Sequence, residues 1–281
     1  MVMGVLNLTP DSFAEPRPLG QREAVDAARR MEQQGADIID IGGESTRPGA
    51  EPVSAAEEWS RIAPVLDAVI ASVHVPVSVD TYKSEVARLA LEAGVSIIND
   101  VTGLRHDPAL AAVVAAGKAG LVLTHSRGRS KTMYSEADYG DVVTDVANEL
   151  QASVSAAVAA GLSPDQLIVD PGIGFAKRPS HSYVVLARVS ALAAILERPV
   201  LVGPSRKSFM RDALNDRLPY ERDWGTAAAV TAAVLGGAHV VRVHAIREMV
   251  DVVRVAEAIR QAALSPPDED QLGSGAGREL G

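Results

Sequence analysis

The chain of 281 residues has no cysteine. That excludes a disulfide scaffold, a thiolate zinc site, an iron–sulfur cluster and a thiol nucleophile. Aromatic residues make up only 4%, too few for rows of base-stacking platforms. Positive charge is in deficit: 27 Lys and Arg face 36 Asp and Glu, a formal net charge of −9. A chain that coats nucleic acid or an anionic membrane carries the opposite balance. A small anionic substrate held by a few local cations remains compatible with it. No apolar run approaches the roughly 20 residues needed to span a bilayer. The apolar start, Met1 to Leu6, meets Asn7 too soon for a signal-peptide core. The expectation is a cytoplasmic protein with neither nucleic acid nor membrane as partner. What is abundant is Val, Ala, Leu and Ile, within a hydrophobic share of 47%, and the core must be built from these.

Short Val- and Ile-rich runs alternate with longer Ala-rich amphipathic stretches. The runs are Val2 to Leu6, Asp37 to Ile41, Val75 to Val79, Val95 to Ile98, Gly120 to Leu123, Leu167 to Val169, Pro199 to Val202 and Ala238 to Val243. Each reads as a buried strand. Between them lie helical patterns, including Tyr139 to Ala160 and a single long one from His181 to Leu196. Gly35, Gly94, Gly117, Gly161 and Gly236 close helices and are expected to be left-handed caps. Strict βα alternation implies a parallel sheet with right-handed crossovers. The expected fold is α/β, a single-domain (β/α)₈ TIM barrel over residues 1–264, with a doubly wound open sheet as the alternative. Residues 265–281 turn to Pro, Asp, Glu, Gly and Ser, and are expected to be a disordered acidic tail.

In either architecture chemistry sits at the carboxyl ends of the strands, and every apolar run stops there on polar residues. The ends carry Asn7, Asp40, Asp80, Asn99 with Asp100, Thr124 with His125, Asp170, Ser205-Arg206-Lys207, and Arg242 with His244. Solvent exposure explains one or two such ends, but not all of them. Asp80, Asn99, Asp170 and Lys207 offer two carboxylates, an amide and a cation, a set suited to a flat heterocycle with N–H donors and carbonyl acceptors. Arg47, Arg242 and His244, with Asn7, Ser45 and Thr46 on nearby loops, suit phosphate oxygens. His125 reads either as a ring member or as a core histidine satisfied by the backbone. No P-loop and no close histidine pair is present. With oxygen donors only, a metal would be Mg²⁺ riding on substrate phosphates.

Taken together, the stretches MGVLNLTPDSF (Met3 to Phe13), DIIDIGGESTRPGA (Asp37 to Ala50), SVDT (Ser78 to Thr81), IND (Ile98 to Asp100), DPGIGF (Asp170 to Phe175), SRKSF (Ser205 to Phe209) and RVH (Arg242 to His244) resemble the dihydropteroate synthases in order and spacing. The resemblance implies a (β/α)₈ barrel, a homodimer and an Mg²⁺-assisted transferase of folate biosynthesis. Such enzymes condense 7,8-dihydropterin-6-ylmethyl diphosphate with 4-aminobenzoate, releasing diphosphate. Carried over by position, Asp80, Asn99, Asp170 and Lys207 bind the pterin. Arg242 stacks on it and, with His244 and Asn7, holds the diphosphate; Asn7 also contacts the metal. Thr46, Arg47 and Pro48 lie on a mobile loop that closes with Phe13 over the aminobenzoate, whose subsite Phe175, Lys207 and Ser205 complete. Arg47, Lys207, Arg242 and His244 are the residues expected to carry catalysis.

The chemistry implied is displacement of diphosphate from a benzylic-type carbon by an amine that is already neutral at pH 7. It needs charge stabilisation and positioning rather than a strong base. Two other readings share the pterin-binding groups. A corrinoid methyltransferase has no diphosphate to hold. A catalytically silent paralogue would have lost Asn7, Arg47, Lys207 or Arg242, and all four are present. The chain departs from the usual family pattern in Ala14-Glu15-Pro16-Arg17-Pro18, expected to stiffen the first loop. It also departs in Ser126, and in Ala245, expected to leave His244 without an acidic partner. A start at the first strand is expected to leave the barrel bottom more open.

Overall fold

Every β-branched run becomes a strand, and the strands join into one parallel eight-stranded sheet in the order β6-β5-β4-β3-β2-β1-β8-β7. The computed structural model describes residues 1–9, 19–47, 49–128 and 132–264. The strands are β1 (Val2–Asn7), β2 (Ile38–Gly42), β3 (Val77–Asp80), β4 (Ile97–Asp100), β5 (Gly120–Thr124), β6 (Leu167–Asp170), β7 (Leu201–Val202) and β8 (Val240–Val243). A parallel bridge between Val169 and Val200 joins β6 to β7 and closes the sheet into a barrel, which sets aside the open-sheet alternative. The helices outside it are α1 (Gln21–Gln33), α2 (Ala55–Ile70), α3 (Ser84–Glu92), α4 (Ala109–Ala116), α5 (Val142–Ala159), α6 (Pro179–Ala187), α7 (Val189–Leu196), α8 (Asp223–Leu235) and α9 (Ile246–Leu264).

Successive strand side chains alternate in direction, and the buried residues divide accordingly. Met3, Ile38, Val122, Leu201 and Val240 form a small apolar cluster of their own, with Ile97 and Ile168 against it. This is the floor of the barrel lumen. The intervening positions, such as Ile39, Val79, Ile98, Leu123 and Val241, join the larger cluster shared with the helices. Two residues above the floor, on the same inward face, stand Asp40, Asn99, Asp170 and Arg242. The apolar layer therefore stops partway up the lumen, and a polar layer sits on it.

Some local expectations are corrected. The pattern from His181 to Leu196 is not one helix: it breaks at Arg188, where φ is −122° and ψ 29°, and α6 and α7 meet at 67°. Gly35, Gly94 and Gly161 take the left-handed conformation. Gly117 and Gly236 do not; Lys118 (φ 54°) and Gly237 (φ 92°) take it one residue later. The expected tail, the first-loop departures at 14–18, Phe13 and Pro48 lie outside the described residues. Among the described residues, no single helix is long and apolar enough to cross a membrane.

Candidate active site

Asp40 is the hub of the polar layer. Its Oδ2 accepts from Asn99 Nδ2 at 3.2 Å and from Arg242 Nε at 2.7 Å. Arg242 then donates through Nη2 to Asp80 Oδ2 at 2.8 Å. Asp40, Asp80 and Asn99 are all buried. Burial pushes the Asp80 carboxyl up against the pull of Arg242, and repulsion from Asp40 pushes the same way. Arg242 stays charged, because Asp40 and Asp80 offset its desolvation. Asp40 Oδ1 is buried with no hydrogen-bond partner among the described residues. A buried carboxylate oxygen left unpaired costs free energy, so the layer holds one unspent acceptor.

The second cluster joins β6 and β7. Asp170 Oδ1 accepts from Gly172 N at 2.7 Å, the turn-capping role open to an Asp-Pro-Gly sequence. Gly172 is obligatory here: its φ is +69°, and a Cβ would lie 1.9 Å from His125 O. Lys207 Nζ donates to Ile173 O at 2.7 Å and stands 4.3 Å from the Phe175 ring centroid. Burial raises the Asp170 carboxyl, with Lys207 as its largest opposing influence. Burial lowers the Lys207 ammonium to about 8. A Cβ on Gly203 would meet Asp170 Oδ2 at 3.7 Å, Lys207 Nζ at 3.9 Å and Arg242 Cβ at 3.7 Å. The bare glycine thus leaves a narrow slot where these three groups converge.

The rim is cationic, with one correction. His244 Nδ1 hydrogen bonds Ser205 Oγ at 2.9 Å, and His244 N donates to the same oxygen at 3.3 Å. Ser205 therefore serves as the partner that Ala245 was expected to deny. Burial, then Arg206, Arg242, Arg47 and Lys207, push the imidazole down to about 3. In the free chain His244 is neutral and acts as a hydrogen-bonding group, not a cation. Arg206, counted among the strand-end cations, is committed elsewhere: Nε and Nη2 bind both oxygens of Asp223 at 2.7 and 2.8 Å. The loop bearing Thr46 and Arg47 is anchored at its base. Lys83 Nζ bridges Glu44 and buried Glu58, and Tyr82 Oη donates to Glu44 at 2.6 Å.

Asn7, Thr46, Arg47, Asp80, Phe175, Ser205, Lys207, Arg242 and His244 all line one cavity of about 690 Å³ at the carboxyl end of the barrel. Asn99 and Asp170 are buried and do not line it; Asn99 bonds Asp40, and Asp170 stands by the Gly203 slot. His125 is satisfied neither by the backbone nor by the cavity; its ring bonds Glu149 and Lys177. Asp100 caps its own turn, accepting from the backbone of Thr102 and Leu104. Asp40 was placed at a strand end by sequence reading but assigned no binding role. The signal was present, since Asp40 follows floor residue Ile38 by two and so shares its face. Lys83 and Lys177 carried no such signal.

Residues 3–244 match the family of pterin binding enzymes. A dihydropteroate synthase of Synechocystis sp. is 44% identical over 259 residues, covering 92% of this chain and 89% of that protein. The crystal structure of a Yersinia pestis dihydropteroate synthase in complex with a sulfonamide drug superposes with a TM-score of 0.88 at 40% identity, over 92% of this chain and 94% of that one. A Xanthomonas albilineans dihydropteroate synthase solved with 4-aminobenzoic acid gives 0.85 at 39% identity, over 92% of each chain.

Proposed function

The chain belongs to the family of pterin-binding enzymes, and we infer that it is a transferase with the activity of the dihydropteroate synthases. It joins 7,8-dihydropterin-6-ylmethyl diphosphate to 4-aminobenzoate, giving 7,8-dihydropteroate and diphosphate. The observation that carries this reading is the buried Asp40–Arg242–Asp80 pairing with its unspent acceptor, set opposite Asp170 and Lys207.

The pterin's amino and ring N–H groups meet Asp80, Asn99, Asp170 and the free oxygen of Asp40. Lys207 donates to the ring's acceptors. Arg242, tethered on one edge by both carboxylates, presents its face to the ring and its remaining donors to the diphosphate. Arg47 and neutral His244 add further donors as negative charge builds on the leaving oxygens. The aminobenzoate ring lies by Phe175, its carboxylate toward Ser205 and Lys207, with Thr46 and Arg47 above. Its nitrogen lone pair forms the new C–N bond at the exocyclic methylene as the C–O bond to diphosphate breaks. The nitrogen then gives its proton to water. No residue has to remove a proton first, so rate comes from positioning and charge stabilisation.

Among the described residues no cluster of three His, Asp or Glu could cage a metal ion. Asn7, half-buried at the end of β1 and lining the cavity, offers one amide oxygen. That fits an Mg²⁺ held mainly by diphosphate oxygens, where it would neutralise leaving-group charge. We further propose a cytoplasmic homodimer. Exposed Trp224 and Leu235 on α8, and Val255 and Ile259 on the adjoining α9, supply apolar surface for it; sedimentation tests it.

The deciding experiment incubates the enzyme with dihydropterin diphosphate and 4-aminobenzoate, with and without Mg²⁺. Dihydropteroate is the expected product, with higher yield when Mg²⁺ is present. Pterin binding without product would overturn the reading in favour of a silent binder.

A further inference from the structure

We propose that Lys177 is a positioning residue for the reaction, fixing Lys207 and Phe175 by holding the backbone between β6 and α6 from outside the cavity. The proposal rests on the reading of Lys207 and Phe175 as substrate-contacting groups.

The segment after Asp170 has no ladder to hold it. Gly172, Gly174 and Ala176 all adopt positive φ, at 69°, 80° and 47°, so the chain winds irregularly and its carbonyls need side-chain partners. Three are found. Lys207 Nζ donates to Ile173 O at 2.7 Å from the cavity side. From the far side, Lys177 Nζ donates to Phe175 O at 3.2 Å and Tyr139 Oη to Ala176 O at 2.9 Å.

Both outer grips trace back to Glu149 on α5. Lys177 is 1% exposed. Its Nζ also bonds His125 Nδ1 at 2.8 Å, and His125 Nε2 bonds Glu149 Oε2 at 3.0 Å. A neutral imidazole has one acceptor and one donor, which matches this order: Nδ1 accepts from Lys177 Nζ–H, and Nε2–H donates to the carboxylate. Glu149 Oε1 accepts from Arg127 Nε at 3.0 Å. The Arg127 guanidinium lies 4.0 Å from the Tyr139 ring centroid. One half-buried carboxylate therefore fixes two arms, which clamp successive carbonyls of the segment carrying Phe175. Burial pushes the Lys177 amine well down from its usual range, since no carboxylate among the described residues touches it. Lys177 Nζ meets a backbone carbonyl and a histidine, as a brace does.

The test compares Lys177→Met, His125→Gln, His125→Leu and Tyr139→Phe with the parent, using active-site-titrated kcat and KM for aminobenzoate alongside thermal unfolding. Lys177→Met should lower kcat/KM of the folded, titrated enzyme about 10- to 100-fold, the scale of a small misplacement of reacting groups. His125→Gln keeps one acceptor and one donor and should retain most activity; His125→Leu should resemble Lys177→Met. Tyr139→Phe, which removes a single hydroxyl, should act in the same direction and more weakly. If Lys177→Met merely loses folded fraction while titrated kcat and KM match the parent, Lys177 is structural and the proposal is overturned. If Lys177→Met does not fold, parent-like constants in both His125→Leu and Tyr139→Phe overturn it equally. Absence of turnover in the parent would instead overturn the proposed activity, which keeps the two failures apart.

Discussion

Asp40 and Arg242 are 202 residues apart in the chain and 2.7 Å apart in the barrel. β2 and β8 flank β1 in the sheet, and the inward face of each strand turns from apolar to polar at the same height. The pairing fixes the guanidinium edge-on between two carboxylates, leaving its face toward the cavity. An arginine held this way is already oriented for a planar ligand and a phosphate together, so little rotamer freedom is left to lose on binding.

Replacing Asp40 by Asn should weaken pterin binding and leave the fold standing. The amide still accepts from Arg242, and Asp80 still balances the arginine's charge. The loss falls on the oxygen that is unpaired in the free chain, so affinity should drop by about 1.5–3 kcal/mol, the scale of a hydrogen bond to a charged group. Asp40 also repels Asp80. Its removal should let Asp80 ionise at lower pH, visible by carboxyl NMR titration. An unchanged Asp80 titration would contradict the coupling.

Lys207 should set a basic limb on activity. Burial lowers its ammonium to about 8, with Asp170, Arg242 and Asp80 as the charged groups acting on it. As pH rises through that value the charge is lost, so kcat/KM, which reports the free enzyme, should fall above about pH 8. Bound diphosphate favours the charged form and should move the limb in kcat upward. Lys207→Ala should abolish measurable condensation and weaken pterin binding. A kcat/KM that stays flat to about pH 9.5, or near-normal turnover of the alanine variant, would remove Lys207 from its assigned role.

The barrel and most of this site were readable from sequence because both rest on local patterns. Alternating β-branched runs and Ala-rich stretches specify the strands and helices, and a polar residue ending an apolar run marks the mouth. The hub role of Asp40 was missed because the residue looks like the end of a run, whereas pairing carries β2 on to Gly42 opposite Asp80. The break at Arg188 was missed because no Gly or Pro interrupts the apolar pattern around it. Lys177 was out of reach for a different reason. A lysine after a loop is ordinarily exposed, and its burial depends on Phe175, His125 and Glu149 meeting in space. The shift of the left-handed cap from Gly117 to Lys118 is equally a matter of tertiary geometry.

His244 should make the folded state acid-sensitive. Its value falls from 6.5 to about 3 on folding, through burial first and then the cations Arg206, Arg242, Arg47 and Lys207. A group held neutral in this way contributes stability that is present above about pH 6.5 and is lost as pH falls toward about 3. By pH 5 the loss amounts to about 2 kcal/mol. The raised carboxyl of Asp80 opposes this, because protonation relieves its burial. The parent's total pH dependence therefore understates the histidine. His244→Gln isolates it: between pH 7 and 5 its unfolding free energy should fall by about 2 kcal/mol less than the parent's in urea titrations. Parallel curves would mean that folding leaves the titration of His244 unchanged, against its assignment as a group held neutral.

Lys83 should couple the stability of the fold to aminobenzoate recognition. Its ammonium bridges Glu44 and Glu58. Glu58 is 1% exposed, with its Oε1 unpaired among the described residues. Lys83→Met would strand a buried carboxylate, a change that typically costs about 3–5 kcal/mol. Burial already raises Glu58, so in this variant it should take up a proton and recover part of that loss. Lowering the pH from 7 to 5 should then stabilise the variant relative to the parent, because the raised carboxyl favours the protonated fold. Glu44 keeps, among the described residues, the Tyr82 hydroxyl as its hydrogen-bond donor once the ammonium is gone, and it immediately precedes Ser45, Thr46 and Arg47 at the cavity rim. KM for aminobenzoate should therefore rise several-fold in Lys83→Met even at the pH where stability has recovered. Glu58→Gln, which leaves the Lys83–Glu44 contact in place, should keep KM near the parent value. Equal KM in the two variants would show that the bridge serves the fold alone.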